Sequence, residues 1–506
     1  MARTSRPFDR GVGRWPRWSS SLYRAIRIVA GAVAVVSGVA HAGISGAVSL
    51  AEPPPNVIVI LADDLGVGDL GCTGSQRIRT PRIDALRASG VRCDAAYASA
   101  VVCAPSRCGL LTGRDGGHAQ VRANTQLPDL DDRSGGQMGL AAGTPTFARD
   151  LQSLGYATAC FGKWALGGPH PDGLSGHPLD QGFDRFLGHL CQRHATEHRT
   201  HELWSDRSIV EVPGNPPDGS GPVYVPDLIT DEAVAWIESN ADHPFLLFFA
   251  SPLPHLPLDA PADLVESYAA EGWPDPPYEG GAGYVPCDAP RATYAAMVTR
   301  LDEHVGRLLD ALADAGVADR TVVIVTSDHG PPPSMGGFDA AFFASTQGLR
   351  GFKGSVYEGG IRVPLIIAGP GIGPEGGVVD EPVGLVDLRP TLAELAGGPL
   401  TADAGIDGVS LLPLLRGEAS TLDRDHLYWE SPVAGGLQAV RWGRWKGVRR
   451  NALTRPDGPI ELYDLDADPG ETTDLASERP EIAREVCARM ATSRVPPIVD
   501  AWRFCP

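Results

Sequence analysis

Five short runs of nearly continuous apolar residues punctuate the chain: Val57–Ala62, Ala157–Phe161, Phe245–Ala250, Val322–Thr326 and Pro364–Ala368. Such runs, without polar alternation, are expected for strands buried on both faces of a largely parallel sheet. Between them the apolar spacing becomes helical, over Pro81–Ser89, Pro145–Leu154, Asp231–Asn240 and Ala292–Ala315. In the longest of these, Met297, Leu301, Val305, Leu308, Leu309 and Leu312 repeat along one face. The alternation predicts an α/β fold, with a large, mostly parallel central sheet flanked by helices. After about residue 400 the pieces shorten, as in Leu437–Val440 and Glu461–Leu465. They predict a small C-terminal antiparallel α+β subdomain with a helix over Pro480–Met490 and a tail near Cys505.

Four of the five runs end in polar groups. Val57–Ala62 runs into Asp63-Asp64, and Val322–Thr326 into Ser327-Asp328-His329-Gly330. Ala157–Phe161 leads to Gly162-Lys163-Trp164, and Phe245–Ala250 to Ser251-Pro252-Leu253-Pro254-His255. Sites in open α/β sheets lie beyond the carboxyl ends of the strands, so acids and bases are expected together at one sheet edge.

The composition of the 506 residues, 43% apolar and 21% charged, excludes a disordered, collagen-like or polytopic membrane chain. Its first 27 residues hold seven arginines and one acid; without them 36 basic residues face 61 acidic ones. So acidic a body is a poor binder of nucleic acid or anionic lipid. Positive charge for an anionic substrate must therefore be local. The arginine-rich start, the apolar run Ile28–Ala40 and Ala40-His41-Ala42 read as an export signal over residues 1–42, with a linker over 43–55. The expected location is secreted or periplasmic, free of the membrane once the signal is cleaved; an uncleaved anchor over Ile28–Ala51 is the alternative. Nine cysteines, at 72, 93, 103, 108, 160, 191, 287, 487 and 505, leave one over if the rest pair.

Adjacent carboxylates such as Asp63-Asp64 repel unless a cation sits between them, and hard divalent ions take carboxylate oxygens. With Asp328 and His329 they can complete a cation site. In Cys103-Ala104-Pro105-Ser106-Arg107, Pro105 suits a first helical turn and puts Cys103 at the amino end, where an anion is favoured. Arg107 follows on the same face. A disulfide or soft-metal pair of Cys103 with Cys108 is the other reading of these residues.

Cys-Ala-Pro-Ser-Arg (103–107) with Leu-Thr-Gly-Arg (111–114) resembles the signature of the type I sulfatases, formylglycine-dependent and arylsulfatase-like members of the alkaline-phosphatase superfamily. Further blocks are similar to that family in order: Asn56–Gly74, Gly155–Gly167, Gly182–Gly188, Ser327–Gly330, Leu349–Pro364 and Glu461–Ala476. The resemblance implies an alkaline-phosphatase-like catalytic domain over 56–400 and a C-terminal subdomain over 401–506. It implies a sulfuric ester hydrolase, acting on sulfated carbohydrates or aryl sulfates. Cys103 would be oxidised to formylglycine by a separate maturing enzyme, which leaves an even eight cysteines. The hydrated aldehyde is a diol that can be sulfated on one oxygen and release sulfate through the other. Asp63, Asp64, Asp328 and His329, with residue 103, would hold calcium, magnesium or another divalent cation. Arg107 would stabilise the diol oxygen, Lys163 and Lys353 bind the sulfate, and His255 bind it and protonate the leaving alcohol.

The chain departs from the pattern at Ala165, where many members carry a histidine that helps deprotonate the diol. His177 and His194 are candidate substitutes, and Gln192 stands where the family often places a polar site residue. His329 replaces a common asparagine, which brings a softer donor to the cation. A phosphonate or phosphate ester hydrolase of the same superfamily, and a sulfated-glycan-binding protein with unconverted Cys103, are the alternative functions. Substrate choice is expected in the Gly- and Pro-rich loops 172–179, 210–225 and 273–286.

Overall fold

The computed structural model describes residues 54–124, 137–170, 173–400 and 405–504. The expected export signal, residues 43–53 of the linker and Cys505 lie outside them.

The apolar runs form the centre of a ten-stranded sheet. In spatial order its strands are Gly377–Val379, Val91–Cys93, Leu365–Ala368, Thr321–Ser327, Asn56–Ala62, Phe245–Ala250, Ala157–Lys163, Arg185–His189, Glu202–Ser205 and Ser208–Glu211. The five from Thr321–Ser327 to Arg185–His189 run parallel. Both faces are covered, which explains the unbroken hydrophobicity. Ile58 and Ile60 pack beneath helices Val225–Asn240 and Pro290–Asp314. Val57, Val59 and Leu61, pointing the other way, meet helices Cys103–Thr112, Phe147–Ser153 and Leu388–Leu395.

One strand and one helix differ from their expected form, and further strands join the sheet. Leu365–Ala368 lies antiparallel to Thr321–Ser327, so its carboxyl end points away from the polar sheet edge. The helix expected from Asp231 begins at Val225, with Pro226 in its first turn, where a missing N–H costs nothing. The Arg185–His189 strand and the antiparallel edge hairpin 202–211 extend the sheet beyond the five apolar runs.

A separate four-stranded antiparallel sheet comprises Leu427–Ser431, Leu437–Trp442, Trp445–Arg450 and Ile460–Asp464. Helix Pro480–Thr492 covers one face through Val486 and Met490. The other face packs on Val101, Val102, Val356 and Ile361, so the small sheet supports the chain just before Cys103 and just after Lys353. Among the described residues no helix is long and apolar enough to cross a membrane.

Candidate active site

Strand order decides the site. Asn56–Ala62 lies between Thr321–Ser327 and Phe245–Ala250, so Asp63-Asp64, Asp328-His329 and the Ser251–His255 turn leave one sheet edge side by side. Backbone bonds lock this register: Asp328 N donates to Ala62 O (3.1 Å) and Asp63 N to Leu253 O (3.0 Å). Asp64 adopts φ +70°, and its N–H donates to Asp328 Oδ1 at 3.2 Å. That left-handed turn is tolerated by aspartate better than by most side chains.

The nine residues expected at the site form one connected cluster. Lys163 Nζ donates to Asp63 Oδ2 at 2.5 Å. Arg107 donates to Asp328 Oδ2 from Nε (3.1 Å) and from a terminal nitrogen (2.9 Å), and its other terminal nitrogen donates to Lys163 O. Lys353 Nζ donates to both oxygens of Asp64, at 2.7 and 2.9 Å, and to His255 Nε2 at 3.2 Å. Cys103 Sγ lies 3.2 Å from His329 Nε2, while His329 Nδ1 donates to Gly330 O at 2.9 Å. Cys103 is the first residue of the Cys103–Thr112 helix, all of it buried. Cys103 and Cys108 are both free thiols, so the two are not joined as a disulfide. Neither do the other described cysteines form a disulfide.

Ionised Asp63, Asp64 and Asp328 are balanced by Arg107, Lys163 and Lys353. Burial alone would raise the Asp63 carboxyl, yet Lys163, His255, Arg107 and Lys353 hold it well below the usual range. Asp64 is likewise lowered against burial, chiefly by Lys353. Asp328 is pushed up, because burial and Asp63 outweigh His329 and Arg107. Burial opposes charge on His329, but Asp328, Cys103 and Asp64 push it up to about 9; a cation taking Nε2 must displace that proton. Burial, with Lys353 and Lys163, holds His255 down to about 4 despite Asp64.

The donor set fits a hard dication. One atom each from Asp63, Asp64, Cys103 and His255 lie within 4.8 Å of one another, as do those of Asp63, Cys103, Asp328 and His329. Asp63 Oδ1 is buried and accepts no hydrogen bond, an orphaned oxygen that a cation would satisfy. Solvent reaches the cluster at His255 and Lys353, whose side chains are 14% and 19% exposed.

The weaker candidates part company. His177 does not join the cluster: Nε2 donates to Asp206 O at 2.9 Å and Nδ1 accepts from Leu179 N at 3.2 Å, against Phe186 and Trp204. Its place near Ala165 in sequence is not a place near Cys103 in space. His194 Nε2 is bound to Glu202 O (2.9 Å) and Thr200 Oγ1 (3.2 Å). Gln192 has a buried Nε2 without a partner. Two residues escaped the sequence analysis. His198 Nε2 donates to His255 O at 2.9 Å and steadies that turn. His189 is the register partner of Lys163; the signal was its position at the end of a strand neighbouring the lysine.

The sulfatase family model matches residues 55–398, and a model of the N-sulphoglucosamine sulphohydrolase C-terminal region matches 351–495. Steryl-sulfatase of Mus musculus is 32% identical, over 89% of this chain and 84% of its own. Arylsulfatase A of Homo sapiens is 33% identical, over 85% of each. Among solved structures Ps i-CgsB superposes with a TM-score of 0.71 at 27% identity, covering 87% of this chain and 92% of its own; it is also solved in complex with k-i-k-neocarrahexaose. The chain belongs to the sulfatase family and is a sulfuric ester hydrolase.

Proposed function

We propose that the protein is an exported sulfatase that hydrolyses sulfate monoesters of carbohydrates or aryl alcohols, with Cys103 converted to formylglycine by a maturing enzyme and a divalent cation held by Asp63, Asp64, Asp328 and His329. The observation that carries this reading is the meeting of Cys103 with that donor set on a sheet edge where acids and bases already balance. Three carboxylates favour calcium among hard ions. When bound, the cation adds two positive charges and attracts the sulfate to an otherwise acidic protein. Hydration of the formylglycine supplies a diol whose one oxygen attacks sulfur and whose other later expels sulfate.

The chain's own residues supply the rest. Lys163 holds Asp63 and Lys353 holds Asp64, and both stabilise charge on the sulfate oxygens. Arg107 gives three of its five N–H groups to Asp328 and Lys163 O, so it holds the carboxylate and the lysine strand in place and keeps positive charge beside the nucleophile. His255 donates Nδ1–H to Leu256 O at 2.5 Å and accepts from Lys353 at Nε2. The Lys353–His255 pair, not an isolated imidazolium, is therefore the proton source for the leaving alcohol. Sulfated carbohydrates and aryl sulfates are the substrate classes that the named relatives and the oligosaccharide-bound neighbour favour. Export rests on the arginine-rich, apolar leader over residues 1–42.

The test is side-by-side turnover of nitrophenyl sulfate, nitrophenyl phosphate and phenylphosphonate, with the mass of the peptide carrying residue 103. We expect a clear preference for sulfate and the mass deficit of a thiol turned aldehyde. Faster turnover of a phosphorus ester, or an intact thiol in protein from its native host, overturns the reading.

A further inference from the structure

We propose that His189 is the proton acceptor for the sulfate-release step, an assignment that rests on the nucleophile reading above. The reaction as proposed has a chemical need that the residues named so far do not meet. After sulfur has been attacked, the second hydroxyl must lose a proton. The carboxylates of Asp63, Asp64 and Asp328 are engaged by cations. His255 Nε2 is occupied by the Lys353 ammonium, and His329 is a cation ligand in the proposed site. The methyl group of Ala165 offers no acceptor.

His189 does. It ends the Arg185–His189 strand, paired in parallel with Ala157–Lys163 so that His189 and Lys163 are aligned. Aligned residues of neighbouring strands leave the same face, about 4.8 Å apart. The ring is 1% exposed, and neither Nδ1 nor Nε2 has a hydrogen-bond partner. Leaving a buried polar atom unpaired is costly, and an imidazole with both nitrogens open is uncommon without a use for them. The neighbouring rings each have a nitrogen engaged: His194 Nε2 is bound to Glu202 O and Thr200 Oγ1, and His198 Nε2 to His255 O, which leaves His198 only Nδ1 without a partner. His194 stacks edge-on against His189 at 4.8 Å and fixes its plane. Burial, then His194, His198 and Lys163, keep the ring uncharged against the pull of Asp63, so one ring nitrogen keeps its lone pair.

The step balances without a further reagent. The hydroxyl O–H bond breaks and its proton passes to a ring nitrogen of His189. The O–H electron pair becomes the second carbon–oxygen bond of the regenerated aldehyde. The carbon–oxygen bond to sulfate breaks, and sulfate departs with that pair.

The experiment is rapid-quench turnover of nitrophenyl sulfate by H189N and H189Q, with melting temperature, pH profile and the mass of the residue-103 peptide. Steady turnover should fall about 10²-fold or more, while the first turnover stays fast and gives a burst of about one nitrophenol per site. The peptide should retain one sulfate ester, and the acidic limb of the kcat profile should disappear. Steady turnover like the parent's, or a first turnover slowed equally with no sulfate ester retained, overturns the assignment. So does failure of both variants to fold, which would make the ring structural. An unmodified thiol at residue 103 in the active parent instead removes the nucleophile reading, and the role of His189 with it.

Discussion

The Lys353 ammonium lies 3.2 Å from Nε2 of His255, and it is the same ammonium that grips both oxygens of Asp64. Because burial first, and Lys353 after it, hold His255 down to about 4, the ring is uncharged above that pH, and in the proposed reaction the leaving alcohol would draw its proton from the Lys353–His255 pair. Esters differ in how much they need this proton. H255A should slow hydrolysis of an alkyl or sugar sulfate by about 10²- to 10³-fold and of nitrophenyl sulfate far less, since nitrophenolate leaves unaided. Equal losses across a series of leaving groups would remove His255 from proton transfer.

The balance of three carboxylates against Arg107, Lys163 and Lys353 separates activity from folding. Stripping divalent ions with a chelator should abolish nitrophenyl sulfate turnover, restorable with calcium, and leave the cooperative melt in place. D63A should behave differently. It strands the buried Lys163 ammonium and one side of Arg107, at a cost of about 3–5 kcal/mol, which thermal or urea denaturation would register.

Glu358 is buried between the two parts of the molecule. It accepts from Lys446 Nζ at 2.8 Å, from Arg362 at 2.6 Å and from the Tyr97 hydroxyl at 2.9 Å. Burial opposes its charge, but Lys446 and Arg362 hold the carboxyl well below its ordinary value. A carboxylate lowered in the fold stabilises above its unfolded pKa, and that stability drains as pH falls towards the folded one. E358A should therefore cost about 3–5 kcal/mol near neutrality and less in acid. Because Glu358 follows Lys353 by five residues, nitrophenyl sulfate turnover should fall with it.

Asp302 shows the opposite sign. From helix Pro290–Asp314 it accepts from Ile83 N (2.7 Å) and Arg82 N (3.1 Å), closing the start of helix Pro81–Ala88. Burial raises its carboxyl to about 6 despite those bonds. The fold thus favours the protonated form, and stability declines as pH rises from about 4 to about 6, then levels. The contribution is at most about 3 kcal/mol. Urea denaturation of the wild type and D302N should differ in slope across that window and run parallel above it.

Much of this was legible because a parallel sheet hides both faces. Val57–Ala62, Phe245–Ala250 and Val322–Thr326 needed no alternation to be read as strands, and their polar ends marked the site. What hydrophobicity cannot carry is direction: Leu365–Ala368 is as apolar as its neighbours and runs the other way. The Glu202–Ser205 and Ser208–Glu211 edge strands were missed because half-exposed residues such as Glu202 and exposed ones such as Ser208 dilute the pattern. In Arg185–His189 the apolar stretch is only Phe186-Leu187, broken by Gly188. Lys163 and His189 are separated by 26 positions, and only the pairing of their strands makes them neighbours. His177 shows the converse: it is close to Ala165 along the chain, yet its ring is bound to Asp206 O and Leu179 N, outside the cluster around Cys103.

Cys103 is 1% exposed, and no residue of its helix reaches solvent to any extent. A second protein therefore has no path to the thiol once the sheet, the helix and the Lys353 segment have closed over it. If Cys103 is converted as proposed, the burial of its sulfur means that a maturing enzyme would have to reach it on a nascent or still-open polypeptide, before the fold closes.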